Sequence, residues 1–330
     1  NRSLRKGENT SQMTNRVLII KLGALGDIVM ATALIKGITD KYKSSTCTLL
    51  TTDKYREIFT NWGDLTIKTF PRHGLIHNAR TLSWIRHQEF THLYDLQGSN
   101  RTRIMSRFSN ISTRVGNQRH PAYTHCPKGP WLGKIHIFDR MIEVCNSSGV
   151  DIQYKLPYFP HNTAEVEKIE SWLEKNKLTG RDIVLLHAGV SPTRPEKQWP
   201  YFPEMATYLM KKNIVPVWIG GEPDRDLNLM LSSVAGIDAT AEFTASELSQ
   251  LTNFAKFAVT NDSGPMHILS SGNIPIFGIF GPSDWVRNHA LGQEKYVVTP
   301  NKLSASASNG TNLSELKPSQ VIKFIEKTLC

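Results

Sequence analysis

The sequence holds 330 residues, 39% of them hydrophobic and 21% charged, with a formal net charge of +10. At about 150 residues per domain this length points to two domains, and the balance of apolar and charged residues excludes a mainly disordered or fibrous chain. The longest apolar runs, such as Ile274 to Phe280, fall far short of the roughly 20 residues that cross a bilayer, and no charged-then-apolar leader opens the sequence, so neither spanning nor secretion is expected. Cys47, Cys126, Cys145 and Cys330 stand 79, 19 and 185 residues apart without a CxxC pair. Such spacing fits neither a zinc site nor a disulfide framework, and reduced thiols in a cytoplasmic protein are expected.

Residues 1 to 12 are polar and patternless and precede Met13, so they read as a tag or loose extension. From Arg16 the pattern predicts a buried strand, Val17 to Leu22, a glycine-bearing loop, Gly23 to Asp27, and a helix over Ile28 to Ile38. Further short strands are predicted at Thr46 to Thr51, Leu65 to Phe70 and His92 to Leu96, alternating with helical segments. A proline-bearing stretch around Leu156 to His161 reads as the linker, giving domains over 13–160 and 161–330. A helix over Ala164 to Lys177 then opens a second series. Its strands are predicted at Ile183 to Leu186, Val215 to Ile219, Phe257 to Thr260 and Ile274 to Phe280, with helices at Pro203 to Lys212 and Ser246 to Phe254. Thr244 and Glu247 have the spacing of a capping box. The Ser, Ala, Asn and Gly-rich segment Ser304 to Asn312 reads as a loop before a last helix, Pro318 to Leu329, expected to pack back on the N-terminal domain. Alternating strands and helices of this kind form parallel sheets covered on both faces, so two facing Rossmann-like α/β domains are expected.

The charge is unevenly spread. Residues 13 to 150 carry 19 Lys and Arg against 9 Asp and Glu, whereas residues 151 to 330 carry 17 against 19. Between Leu96 and Phe138, Arg101, Arg103, Arg107, Arg114, Arg119, Lys128 and Lys134 meet no acidic residue. A solvated basic face is one reading; a polyanionic partner gripped by two-point arginine contacts is the other. Interleaved aromatics, zinc-finger spacing and basic heptads are all lacking, so nucleic acid is not the expected partner, and an anionic lipid or glycolipid fits the charge.

Ligands of open α/β sheets bind beyond the carboxyl ends of the strands, which directs attention to four loops. Gly23 to Asp27 lets the backbone pass close to a ligand and puts Asp27 at the mouth of a helix, as a base or as a helix cap. A dinucleotide fingerprint needs glycine where the chain has Leu25 and Ile28, which reduces a nicotinamide oxidoreductase, with Asp53 as its ribose acid, to a minor rival. His187 to Pro200 brings the hydroxyls of Ser191 and Thr193 together with Arg194 and Lys197, a set suited to an anion. Gly220 to Asp224 places Glu222 after a strand, either to meet ribose hydroxyls or within a simple glycine turn. Asn261 to His267 follows a strand and opens a helix at Pro265, so the Ser263 and Gly264 amides make a phosphate seat, whereas Asp262 and His267 are site residues or capping and core residues.

Five segments in order, Arg16 to Asp27, Asp95-Leu96-Gln97-Gly98, Arg194 to Pro200, Asn261 to His267 and Gly281-Pro282-Ser283, make the chain resemble the heptosyltransferase-like enzymes of glycosyltransferase family 9. The likeness runs over nearly the whole chain from Met13; Met30 and Ala33 stand where many relatives have other residues. The resemblance implies a GT-B fold and an inverting transferase that takes a nucleotide diphosphate sugar, ADP-heptose above all, as substrate without a cofactor or essential metal. It implies a lipopolysaccharide core acceptor, with peripheral contact at the cytoplasmic membrane face. On this basis Asp27 resembles the general base and Lys197 the cation near the diphosphate. Ser191, Thr193, Glu222, Asp262, Ser263, Gly264 and His267 fall on the donor side, and Gly26, Gln97, Arg101, Arg103 and Arg119 on the acceptor side. A glycosyltransferase of the same family using another nucleotide sugar or acceptor is the alternative, and a noncatalytic polyanion-binding protein joins the oxidoreductase as a minor one.

Overall fold

The computed structural model describes residues 15–71, 74–130, 135–300 and 312–329. The expected tag, Met13, Lys134, Cys330 and nearly all of the Ser304 to Asn312 loop lie outside the described residues. The N-terminal half runs β1 (Arg16–Ile20), α1 (Leu25–Lys41), β2 (Thr46–Thr51), β3 (Leu65–Thr69), α2 (Leu75–His87), β4 (His92–Asp95), α3 (Asn100–Arg107), β5 (Thr113–Val115) and α4 (Ile137–Asn146). The C-terminal half runs α5 (Thr163–Lys175), β6 (Ile183–His187), α6 (Phe202–Lys211), β7 (Val215–Gly220), α7 (Arg225–Val234), β8 (Ile237–Thr240), α8 (Ala245–Leu251), β9 (Ala255–Asn261), α9 (Gly264–Leu269), β10 (Ile276–Ile279), α10 (Trp285–Asn288) and α11 (Pro318–Leu329).

Each half holds a five-stranded parallel sheet, ordered β3-β2-β1-β4-β5 in one and β10-β9-β6-β7-β8 in the other. The two orders are the same topology, since β6 stands to its sheet as β1 stands to the first. Helices cover both faces, so the central strands are apolar on both sides: Val17 to Ile20 and Val184 to Leu186 are wholly buried. The eight expected strands occur within two residues of their predicted ends, and the Thr244/Glu247 capping box is formed. Two strands, β5 and β8, lie at sheet edges and escaped the periodicity reading.

The last helix departs from expectation. Val321, Phe324 and Ile325 form an apolar stripe at helical spacing that packs on the C-terminal sheet, with Phe324 edge-on to Phe277 at 5.9 Å between ring centres. Trp199 Nε1 donates to Leu316 O at 2.7 Å, which fixes the segment leading into α11 on the same half. The stripe matches the apolar outer face of its own sheet, so α11 completes the C-terminal core rather than packing back on the N-terminal domain.

Contacts between the halves centre on the first turns of α1 and α9. A Cβ on Gly26 would stand 2.6 Å from Cδ2 of the buried His267, and one on Gly264 would overlap the Leu25 side chain. Glu165 accepts from Asn61 Nδ2 at 2.6 Å and from Ser246 Oγ at 2.8 Å, joining both halves through one carboxylate. His136 Nδ1 accepts from Phe138 N at 3.1 Å, which leaves Nε2 to donate to His289 O at 2.9 Å across the junction.

Ala normally stabilises a helix interior by up to about 1 kcal/mol relative to Gly, but overpacking costs about 1–3 kcal/mol. Gly26→Ala is therefore expected to lower the denaturant midpoint, whereas Gly63→Ala, with open space around its Cβ, should leave it within about 0.5 kcal/mol of wild type. Equal midpoints for the two variants would show that the α1/α9 approach has slack.

Candidate active site

In each sheet the strand order reverses beside the first strand of its half, between β1 and β4 and between β6 and β9. Such switch points open a crevice at the carboxyl ends of the strands. The loops that leave β1, β6 and β9 line one cavity of about 630 Å³. Gly26 and Asp27 come from one half, and Ser191, Lys197, Asp262, Ser263, Gly264 and His267 from the other.

On the N-terminal wall, α1 starts at Leu25 with Ala24 as its N-cap and no side-chain cap bond. Asp27 thus lies inside the first turn rather than at the cap, which removes the capping alternative. Lys21, at the end of β1, is 3% exposed. Its Nζ donates to Leu96 O at 3.3 Å and stands 3.8 Å from Asp27 Oδ2. Burial lowers the Lys21 pKa, opposed by the charges of Asp27 and Asp95. Asp95 is fully buried at the end of β4; its Oδ1 accepts from the amides of Gln97 and Gly98 at 3.1 and 2.8 Å, and its Oδ2 from Tyr123 Oη at 2.6 Å. Burial raises its pKa, while those hydrogen bonds favour the carboxylate.

On the C-terminal wall, Lys197 Nζ donates to Asp262 Oδ2 at 2.7 Å. The loop that carries Lys197 is anchored from below, because Asn261 Oδ1 accepts from Trp199 N at 3.0 Å while its Nδ2 donates to Ala188 O at 2.8 Å. Ser263 stands at the N-cap position of α9 without a side-chain cap bond, and its Oγ is 3.0 Å from Nδ1 of His187, whose Nε2 is 3.5 Å from Asp224 Oδ2. His267, buried behind Gly26, has its pKa pushed down to about 4 by burial.

A second cavity of about 410 Å³ shares Leu25, Lys54 and Tyr55 with the first and continues past the ends of β7 and β8. Its walls include Gly221, Glu242, Phe243, Leu248 and Ile268.

Six expected site residues do not line the first cavity. Gln97 Oε1 accepts from Leu22 N at 2.9 Å and so ties β4 to the loop after β1. Arg101 stacks on Phe70 at 4.5 Å and donates to Pro71 O, Arg103 donates to Asn100 Oδ1 at 3.2 Å, and Arg119 is exposed. Thr193 meets Ser191 through its hydroxyl at 2.9 Å, and Glu222 is exposed and paired with Arg225. Arg194, which the sequence groups with Lys197, also lines the first cavity, whereas Lys54, Tyr55, Asp284 and Asn288 on its walls and Lys21 behind Asp27 carry no motif that marks them. Lys54 and Tyr55 follow the end of β2, and the rule that directs attention beyond strand ends applies to them as well.

The family model described as glycosyltransferase family 9 (heptosyltransferase) matches residues 79–317. The chain is 20% identical to the lipopolysaccharide core heptosyltransferase OpsX of Haemophilus influenzae over 90% of its length and 88% of that protein. It resembles the crystal structure of the family 9 glycosyltransferase from Veillonella parvula with a TM-score of 0.79 and 20% identity, covering 96% and 97% of the two chains. For the E. coli ADP-heptose LPS heptosyltransferase II the TM-score is 0.75 at 16% identity, covering 95% and 98%. E. coli heptosyltransferase WaaC with ADP gives 0.70 at 18% identity, covering 94% and 99%.

The depressed pKa of His267 has a thermodynamic consequence. In the unfolded chain its imidazole takes a proton near pH 6.5, but in the folded protein only near pH 4, so its contribution is complete above about pH 6.5 and is lost as pH falls toward 4. Asp27 and Asp262 pull the pKa up, and His136 and His289 push it down. Unfolding free energy should fall across that window by up to about 3 kcal/mol from this group, and His267→Gln should flatten the fall. Parallel pH profiles for the two proteins would show that His267 is not its source.

Proposed function

The chain belongs to glycosyltransferase family 9, the heptosyltransferase family, and from that membership we propose that it transfers heptose, with inversion, from ADP-heptose to a lipopolysaccharide core acceptor at the cytoplasmic face of the membrane. The observation that carries this reading is the cavity itself, where Asp27 from one half shares a space with Lys197, Asp262 and the first turn of α9 from the other. An inverting transfer needs a base on one side of the sugar and stabilisation of the departing diphosphate on the other.

In this reading Asp27 takes the proton of the acceptor hydroxyl as its oxygen bonds to the anomeric carbon. The bond from that carbon to the diphosphate oxygen breaks, and its electron pair leaves with ADP. Lys197 has three N–H donors, one of them on Asp262, so it retains donors for the diphosphate. The amides of Ser263 and Gly264 add to that seat, and His187 Nδ1 and Asn261 O hold the Ser263 hydroxyl in place beside it. Asp262 meets the donor sugar.

The nucleoside fits the second cavity, with Phe243, Leu248 and Ile268 beside the base. Glu242, which lines that cavity, takes the ribose role in place of Glu222, whose carboxylate is held by Arg225. Lys21 is a positioning residue: its buried ammonium holds Asp27 on the cavity wall. The acceptor lies on the basic N-terminal side, where Lys54 lines the cavity and Arg101 and Arg103 stand on the helix that follows β4.

Two substitutions test the assignment. Asp27→Asn keeps size and polarity but cannot accept the proton, so transfer should fall by roughly a hundredfold or more while ADP affinity is retained. Lys197→Ala should cost roughly a hundred- to a thousandfold in turnover. ADP release and calorimetric binding of ADP measure both; wild-type rates in Asp27→Asn, or tighter binding of NAD than of ADP, would overturn the reading.

A further inference from the structure

Helices α2 and α3 lie side by side on the outer face of the N-terminal half and leave a groove of about 420 Å³ between them, lined by Asn78, Ala79, Leu82, Arg101, Ile104 and Met105. Ile104 is 59% exposed at its edge, Phe108 is 51% exposed at the end of α3, and Ile76 is 68% exposed near the start of α2. Ile104 borders the groove, and Ile76 and Phe108 stand at opposite ends of the same helix pair, so the exposed large apolar side chains of this half gather on two neighbouring helices rather than being scattered singly.

The charge around the groove says what covers it. Arg80 and Arg107 are exposed, Arg86 Nε donates to Phe108 O at 2.7 Å, and the Arg107 guanidinium lies 6.0 Å from the Phe108 ring centre. From Leu65 to Ser112 the only acidic residues are Glu89 and the buried Asp95. A second copy would bring this cationic face against itself, and with Ile76 and Ile104 aliphatic the single ring of Phe108, already beside Arg107, falls short of the successive aromatic platforms on which nucleic-acid bases stack. Aliphatic side chains among arginines instead match a bilayer interface, where apolar groups enter the acyl boundary and guanidinium groups meet anionic headgroups.

We propose that the α2/α3 face docks the protein on an anionic lipid bilayer through Ile76, Ile104 and Phe108, with Arg80 and Arg107 on the headgroups. Both helices start at the carboxyl ends of strands, the same sheet edge as Asp27, so docking here brings the cavity toward lipid-borne acceptors. The inference extends the glycolipid-acceptor reading by naming the surface that meets the membrane.

Co-sedimentation of the full chain with vesicles tests it, comparing phosphatidylcholine alone with phosphatidylcholine plus phosphatidylglycerol. Binding is expected only to the mixed vesicles and should weaken as salt rises. Arg80→Gln with Arg107→Gln should reduce binding by roughly tenfold or more, as should Ile104→Ser with Phe108→Ser, while melting and transfer to a short water-soluble acceptor stay unchanged. Equal binding to neutral vesicles, or no effect of either double variant, would overturn the proposal. So would self-association abolished by Ile104→Ser with Phe108→Ser, which would make the face a contact between copies. The vesicles contain neither sugar nor nucleotide, so lipid binding without any transfer would count against the catalytic reading alone.

Discussion

The first turns of α1 and α9 touch at two points where a single added methyl would not fit, Gly26 against His267 and Gly264 against Leu25. Everything in the cavity is measured from that contact. Asp27 follows Gly26 by one residue and Ser263 precedes Gly264 by one, so the close approach sets how far the N-terminal carboxylate stands from the C-terminal amides. A bulkier pair would hold the halves apart and open the site to water. The His136 bridge to His289 O and the Glu165 link between Asn61 and Ser246 restrain the same junction from its flanks.

Lys21 carries an energetic cost, because an ammonium taken out of water is stabilised only where opposite charge and hydrogen-bond acceptors surround it. Leu96 O, Asp27 and Asp95 supply these. Asp95 is in turn held by two amides and the Tyr123 hydroxyl, so a network reaching from β1 to Tyr123 stands behind one carboxylate at the cavity wall. That arrangement sets a buried amino group 3.8 Å behind the Asp27 carboxylate.

Strands with continuous apolar runs, such as Val17 to Ile20 and Val184 to Leu186, were legible because burial on both faces leaves an unbroken hydrophobic signature. Edge strands were not. Thr113-Arg114-Val115 is too short and polar to stand out, and Ile237-Asp238-Ala239-Thr240 carries an acid in its middle. Overlooking β8 also hid the loop that follows it, which brings Glu242 and Phe243 to the wall of the second cavity. The residues of the first cavity were legible where a motif followed a recognised strand, as with Asp27, Lys197 and Asp262. Lys21 was hidden for the opposite reason: it ends an apolar strand, and sequence alone does not say whether such a lysine turns inward or reaches solvent. The fate of α11 likewise depended on which sheet face its apolar stripe would match.

The two sheets share one strand order, yet the side chains at their carboxyl ends are used differently. In each half a lysine beyond the first strand is paired electrostatically with an aspartate reached from the fourth: Lys21 feels the charge of Asp95, and Lys197 bonds Asp262 directly. The first pair is sealed beneath the wall; the second stands at the cavity surface. The two lysines reach these settings from different places, Lys21 directly from the end of its strand and Lys197 from a loop ten residues beyond its own, so one half seals its cation inside while the other presents it to the cavity.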